Sequence, residues 1–240
     1  MIKIRAGDLS DSMDVVCSIL DDVTMKFANG ELSVDESDLP CICYVRFKLR
    51  SSAFVEYDSG KFESIRVSSK DFMKCLKRFA SDSIVMFEFS DNKLTLTDGS
   101  KSFDIDILAV SDEDKGVDAS ELYKRLELLP VKFTLSYSGL TDIIDDIKST
   151  VKEKSSPSVS FSKKSNILKI SANNYRKKIV LNDDKEADSS YGLNFLDNAL
   201  KRRISDTVDI SYGADAPIFI RHNGKNSSLD VVVMCRISSD

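Results

Sequence analysis

The residues that could carry out chemistry in this 240-residue chain are few. There is one histidine, His222, and no tryptophan. A Ser-His-Asp triad or a histidine-rich metal centre would have to be assembled around that single imidazole, which argues against both. Cys41-x-Cys43 places two thiols two residues apart. On a strand such residues share a face, and with no second cysteine pair or nearby histidine the ligand count for zinc is not met. Gly99-Ser100-Lys101-Ser102 ends like a phosphate-binding loop. It lacks the upstream glycine and lies in a hairpin-like stretch rather than between a strand and a helix. Asp142, Asp145 and Asp146 put three carboxylates on one helix, but no strand-borne carboxylate completes a two-metal site.

The other charged residues with a regular spacing are basic. Lys70, Lys74, Lys77 and Arg78 fall at i, i+4, i+7 and i+8 and form one basic helix face opposite Met73 and Leu76. Lys201 and Arg202, with Arg203 beside them, repeat the theme in the second half, and Lys148 adds to it, with Lys152 close by. Basic side chains facing phosphates hold a duplex without reading its sequence. For any one helix the competing reading is an ordinary solvated face. Recurrence in both halves favours DNA.

Period-two alternation dominates the elements that must position these residues. It marks Tyr44–Leu49, Val85–Phe89, Leu94–Thr97, Phe103–Ile107, Val159–Phe161, Leu168–Ile170, Ile179–Leu181, Val208–Ile210, Ile218–Ile220 and Leu229–Val233 as strands. Asp91-Asn92-Lys93 and Asn223-Gly224 read as hairpin turns. Four segments carry a helical apolar stripe instead: Leu9–Leu20, Lys70–Ala80, Leu140–Val151 and Leu193–Ile204. Leu76-Lys77-Arg78 recurs as Leu200-Lys201-Arg202, and Ser81-Asp82-Ser83-Ile84 recurs as Ser205-Asp206-Thr207-Val208. Each is followed by strand, turn and strand. This is a two-fold internal repeat. The fold class is α+β, with two similar domains over residues 1–110 and 131–240, each carrying two helices on antiparallel sheets. Between them runs a linker, 111–130. Its start, Ser111–Gly116, is acidic and aperiodic, and its end, Leu126-Glu127-Leu128-Leu129-Pro130, is apolar where a solvated linker would be polar.

Composition narrows the classes further. Hydrophobic residues make up 42% and charged residues 30%, a globular balance. No apolar run reaches the ~18 residues of a membrane span, and the N-terminus has no signal-peptide core, so no membrane partner and a cytosolic setting are expected. Five cysteines, an odd number, point to reduced thiols. A net charge of −5 means that any DNA-binding charge must be gathered locally. No cofactor and no catalytic residue are expected.

Several segments together resemble a known family. Ser190-Tyr191-Gly192-Leu193, then Phe195-Leu196 and Lys201, resembles the segment entering the last helix of DNA sliding clamps of the proliferating cell nuclear antigen (PCNA) family, especially archaeal ones. Ala214-Asp215-Ala216-Pro217 resembles that family's strand start with its proline. Leu49-Arg50-Ser51 through Phe54 and Tyr57 is similar to the strand end after its early Asp-rich motif, with Asp35-Glu36-Ser37-Asp38 where that motif would lie. Leu128-Leu129-Pro130 resembles the end of the interdomain linker. The resemblance covers almost the whole chain, in order and spacing.

The resemblance implies a processivity factor. Three subunits would close head to tail into a ring, a homotrimer, with helices lining a channel around double-stranded DNA. DNA polymerase, clamp loader, flap endonuclease and ligase would dock through PIP-box peptides, a helical turn with apolar anchors held in a groove under the linker. The positions here that match the groove are Ile42, Tyr44, Leu126, Leu128, Leu129, Pro217, Val232 and Met234. The C-terminal run Val233–Ile237 departs from the family's usual ending. Ring closure would pair Phe103–Leu108 of one chain (Phe103, Ile105, Ile107) with Lys177–Asn182 of the next (Lys177, Ile179, Leu181). Asp104 and Asp106 would lie opposite Arg176, Lys177 and Lys178. The setting would be the cytoplasm of an archaeon, or the nucleus or replication sites of a eukaryote or virus.

The first helix departs from the family, which usually carries lysines there. Here it carries Asp11 and Asp14, followed by Asp21 and Asp22. These acidic residues sit at the channel edge, or the clamp holds DNA loosely, or the chain belongs to a hetero-oligomeric clamp. Two other functions stay open: a checkpoint-type heterotrimer subunit, supported by failure to form a homotrimer, and a metal-dependent nuclease, supported by magnesium-dependent turnover.

Overall fold

A computed structural model describes residues 1–58, 60, 63–90, 92–109, 119–151 and 157–236. The chain divides into two units, which exchange short segments. The first takes Met1–Cys41, Val45–Val117 and Gly224–Leu229; the second takes Ile42–Tyr44, Asp118–Asn223 and Asp230–Asp240. Asp91, Ser111–Gly116, Lys152 and Ile237, named above, lie outside the described residues.

In the first half the order is β1 (Ile2–Arg5), α1 (Ala6–Ile19), β2 (Asp22–Ala28), β3 (Glu31–Ser37), β4 (Cys43–Arg50), β5 (Glu56–Tyr57), β6 (Ser64–Ser68), α2 (Ser69–Leu76), β7 (Ile84–Phe89), β8 (Lys93–Thr97) and β9 (Ser102–Asp106). Then come α3 (Ala119–Glu127), β10 (Val131–Ser136), α4 (Tyr137–Thr150), β11 (Ser158–Lys164), β12 (Ile167–Ala172), β13 (Tyr175–Val180), β14 (Ala187–Gly192), α5 (Leu193–Ala199), β15 (Thr207–Tyr212), β16 (Ile218–Asn223) and β17 (Ser227–Val233).

The strand orders reveal the repeat. Strands run β1-β7-β8-β9 and β6-β2-β3-β4 in one half, and β10-β15-β16-β17 and β14-β11-β12-β13 in the other. The two halves follow the same order. Hydrogen bonds repeat as well. The amide of Ala6, first in α1, donates to the Ser83 carbonyl at 2.9 Å, and that of Tyr137, first in α4, donates to Asp206 at 2.8 Å. The sequence match around Ser81 and Ser205 slips by one residue at the following strand. Val85 pairs with Ile4 just as Val208 pairs with Leu135, so Val85, not Ile84, corresponds to Val208.

Each long helix buries the stripe that its sequence carries. α1 buries Leu9, Met13 and Val16, and α4 buries Leu140, Ile143, Ile144 and Ile147. Both begin about a turn before the apolar stripe does, with Ser136 capping α4 by accepting from the Gly139 amide at 3.1 Å. The short helices end earlier than expected. α2 stops at Leu76 and α5 at Ala199, each in a tightened last turn. Gly7 allows α1 to start where it does, because a Cβ there would stand 2.9 Å from the Ser81 carbonyl oxygen. In the second unit Phe161, Tyr191 and Tyr212 meet edge to face, with ring centroids 5.8 Å apart for each contact of Phe161.

Two buried polar groups stand out. Lys163 is fully buried, and its ammonium donates to the carbonyls of Ser165, Asp183 and Lys185 at 2.6, 2.9 and 3.0 Å, with Asp183 Oδ1 at 2.9 Å. It ties down the loop that follows β13. His222 on β16 is also fully buried. Burial lowers its pKa from 6.5 to about 4, against smaller opposing effects of the Ala199 carbonyl and Asp209.

His222 makes stability depend on pH. Above 6.5 the imidazole is neutral in folded and unfolded chains alike. Between 6.5 and 4 the unfolded chain takes up a proton that the folded one refuses, so stability falls as pH drops through this window. Chemical unfolding of wild type and His222→Gln across pH 4–8 should show a wild-type loss larger by about 3 kcal/mol. Parallel curves would refute the assignment.

Candidate nucleic-acid interface and docking surface

α2 presents Lys70 and Lys74 on its exposed face and buries Phe72, Met73 and Leu76 on the other. Lys77 caps its C-terminus and Arg78 follows in the turn, both exposed. All four are exposed, although only Lys70 and Lys74 are helical: Lys77 turns to α1, whereas Lys74 and Arg78 line a hollow beside Phe103–Asp106. Lys201 and Arg202 are exposed but lie beyond the end of α5, not on it. That corrects the helix reading: the stripe Leu193, Leu196, Ala199 and Leu200 continues one residue past the helical hydrogen bonding.

Acid–base pairs tie the two helices of each unit together. In the first unit Lys77 Nζ donates to Asp14 Oδ1 on α1 at 3.1 Å, and the Asp14 side chain is only 4% exposed. In the second unit the polarity is reversed. Lys148 on the long helix meets Asp197 on the short one at 2.8 Å, and Asp145 at 3.3 Å. The Asp197 hydrogen bond chiefly pushes the Lys148 pKa up. Of the basic positions singled out in sequence, Lys77 and Lys148 are thus already matched to carboxylates. Two of the three aspartates of α4 are matched as well: Asp145 to Lys148, and Asp146 to the Tyr175 hydroxyl on β13. Among the described residues no group of three or more histidine, cysteine or acidic side chains is placed to hold a metal ion. The five cysteines are free thiols, and burial pushes that of Cys75 up, with Asp71 adding to it.

Several of the residues expected to line a docking groove are buried together. Tyr44, Leu126, Leu129, Phe219 and Val232 form one buried apolar cluster, with Ala119, Leu122, Tyr123 and Ala216 packed against it. All belong to the second unit. The later part of the linker forms the helix α3, whose apolar side packs into this cluster. Only the rim is solvated: Ile42 is 38% exposed, Met234 37% and Leu128 81%, while Pro217 is half-buried. The Tyr123 hydroxyl donates to Asp230 Oδ2 at 2.8 Å, and Arg221 Nε reaches Asp230 Oδ1 at 3.1 Å. α3 has a legible signal in sequence, since Ala119, Leu122, Tyr123 and Leu126 fall at i, i+3, i+4 and i+7.

β9 and β13 end their sheets, each bonded to a neighbour on one side alone among the described strands. On β9, Phe103 packs edge to face on Phe79 at 5.3 Å, Ile105 is buried and Ile107 is half-buried. These three serve their own unit first, and the exposed residues of the strand are Ser102, Asp104 and Asp106. Asp104 accepts from Thr95 at 2.8 Å and Lys93 at 3.3 Å, the hydroxyl chiefly holding its pKa low. On β13, Arg176, Lys177 and Lys178 are exposed, as is Val180 at 69%; Ile179 is half-buried, and so is Leu181 just beyond the strand.

Comparison with known proteins places this geometry. No family model matches the chain. DNA polymerase sliding clamp 3 of Sulfurisphaera tokodaii is 26% identical over 221 residues, 85% of each chain. The solved structure of a PCNA2–PCNA3 complex from Sulfolobus tokodaii superposes over 98% of both chains at a TM-score of 0.76 and 24% identity. The chain is a relative of the archaeal sliding clamps. A structure of the C-terminal region of FEN-1 bound to A. fulgidus PCNA shares the fold over the full length of both chains, with a TM-score of 0.78 and 16% identity. The two-domain repeat is that of the PCNA clamp fold. Within that fold, the helix pairing through Asp14–Lys77 and Lys148–Asp197 has no signature in sequence, because partners from distant segments leave no local pattern.

The two helix pairs should differ in strength. Asp14 is buried, so removing Lys77 takes the cation away from a carboxylate that water cannot readily reach. Lys148 and Asp197 are both more than two-fifths exposed and screened by water. Urea unfolding should show Lys77→Met costing about 1–3 kcal/mol and Lys148→Met under ~1 kcal/mol. Equal costs would overturn the ranking.

Proposed function

We propose that this chain is a subunit of a ring-shaped DNA sliding clamp: a processivity factor without a catalytic step of its own. It surrounds duplex DNA and docks replication and repair proteins. The observation that carries the assembly is the pairing of strands. β17 runs beside β4, with Met234 donating to the Ile42 carbonyl and Arg50 to that of Asn226, at 2.8 and 2.9 Å. In the repeat, β9 corresponds to β17 and β13 to β4. The outer edges of β9 and β13 are therefore the counterparts of two edges that already pair. An edge that pairs with a different edge on the next copy makes a head-to-tail interface, which closes into a ring when the rotation allows.

Charge supports that pairing. Asp104 and Asp106 share the solvent face of their sheet with Thr95 and Lys93. Arg176 and Lys178 share theirs with Ser171 and Lys169. Lys169 and Lys178 stand directly opposite each other, an unfavourable pairing unless acid lies nearby. The acidic edge of the next subunit would supply it. In this reading residues 1–110 and 131–240 are the two clamp domains and 111–130 their connector. Lys70, Lys74, Arg78, Lys201 and Arg202 face DNA phosphates in the channel. DNA polymerase, clamp loader, flap endonuclease and ligase dock through PIP-box peptides at the Tyr44–Val232 cluster, and the setting is cytoplasmic.

A second reading concerns the composition of the ring. The PCNA2–PCNA3 structure joins two different clamp chains. On that precedent this chain would close a ring with a sister chain instead of a homotrimer with itself.

Light scattering at several concentrations and two salt levels distinguishes these. The homotrimer predicts three chains per particle, reduced to monomers by Arg176→Glu with Lys178→Glu. A wild type that stays monomeric rejects the homotrimer and directs the search to a sister chain. For DNA, Lys74→Ala should lower the slope of log affinity against log salt by about 0.9, the decrement for one fewer neutralised phosphate, with stability unchanged. An unchanged slope removes Lys74 from the channel.

A further inference from the structure

We infer that α3 is a latch: a segment of the chain's own connector that occupies the partner-docking cluster and must lift for a partner to bind. The inference rests on the docking function proposed above and concerns how that site is regulated.

Three observations carry it. First, the cluster is filled. Leu126 and Leu129 are buried against Tyr44, Phe219 and Val232, with Leu122 and Tyr123 beside them, so the anchors a helical turn would insert are already supplied from within. Second, α3 is marginal on its own. Its nine described residues fall short of the ~12–15 that a free helix needs in water, so their order depends on the surface beneath them. On its outer side the Glu121–Arg125 pair, at 3.2 Å, is exposed on both partners and contributes little. Third, a polar contact fixes its position. Tyr123 donates to Asp230, which Arg221 holds from the other side, and the Arg221 guanidinium lies 4.7 Å over the Phe219 ring. Tyr123 completes the arrangement edge to face with Phe219 and Tyr44, at 5.7 and 6.3 Å. A short helix that is apolar below, weakly supported outside and pinned through a tyrosine hydroxyl can be exchanged for another helix of the same kind.

The energetic consequence is a reduced apparent affinity. When only a fraction of molecules has the latch raised, the dissociation constant grows by the inverse of that fraction. Weakening α3 without touching the cluster should therefore tighten binding. Lys124 is exposed and stands outside the cluster, and glycine at a helical position disfavours the helix.

The test uses the full chain and a synthetic peptide of a flap endonuclease C-terminal region, with titration by calorimetry and hydrogen exchange over residues 119–129. Lys124→Gly and Tyr123→Phe should each bind the peptide three- to tenfold more tightly than wild type. Saturating peptide should speed exchange of the α3 amides. Equal or weaker binding by both variants, with α3 amides better protected in the complex, overturns the latch and leaves docking intact. Absence of binding by wild type and both variants overturns the docking reading and the latch with it.

Discussion

A sheet edge is a row of backbone donors and acceptors without partners, and the arrangement of edges organises this molecule. Duplicating a unit of two sheets gives each half an edge at corresponding places. Within one chain β17 meets β4 and both are satisfied. Their counterparts β9 and β13 keep their edges, and neither is blunted by a proline or a bulge. Exposed edges are normally protected, because they invite unplanned pairing. Leaving two of complementary charge is consistent with a planned one. The repeat thus bears on assembly and not on folding alone, since the strand pairing made once within a chain is available again between chains.

The helices follow from the sheets. Each unit needs its sheets covered where strands present Val, Ile and Phe, and one long and one short helix do this. Their stripes are narrow, so the remaining faces are polar by necessity. What those polar faces do is set by small choices. A buried Asp14 held by Lys77 locks α1 to α2 in one unit, and a more exposed Lys148 held by Asp197 spans α4 and α5 in the other.

The strands, the long helices and the repeat are legible in sequence because each is a local pattern: alternation or a 3.6-residue stripe that one stretch of chain carries by itself. The ends of α2 and α5 are not, because Leu200 and Ala80 prolong the apolar spacing past the point where the backbone turns. Basic positions such as Lys74 are legible as exposed, whereas the commitment of Lys77 to Asp14 is hidden by a separation of 63 positions along the chain. Tyr44, Leu126 and Val232 lie together in one buried cluster. Their burial is not legible in the same way. It depends on the connector being helical, and the apolar Leu126-Glu127-Leu128-Leu129 run shows its composition more plainly than its period.

Part of the acidic character of the first helix, one departure from the family pattern, yields to the same local accounting. Asp8 sits in the first turn of α1, where a carboxylate is favoured by the unpaired amides and the helix dipole. Asp14 faces inward to Lys77. Asp22 lies past the helix on β2, 3.4 Å from Arg66 on the neighbouring strand β6. Each of these charges is tied to the architecture of the first unit. A chain of net charge −5 can still offer phosphate a positive surface if its acids are engaged elsewhere. For the ring proposed above, held on DNA by topology, a modest field would be enough, because each phosphate contact that raises affinity would also resist movement along the duplex. Weak, screened contacts from Lys70, Lys74 and Arg78 would centre the duplex without arresting it.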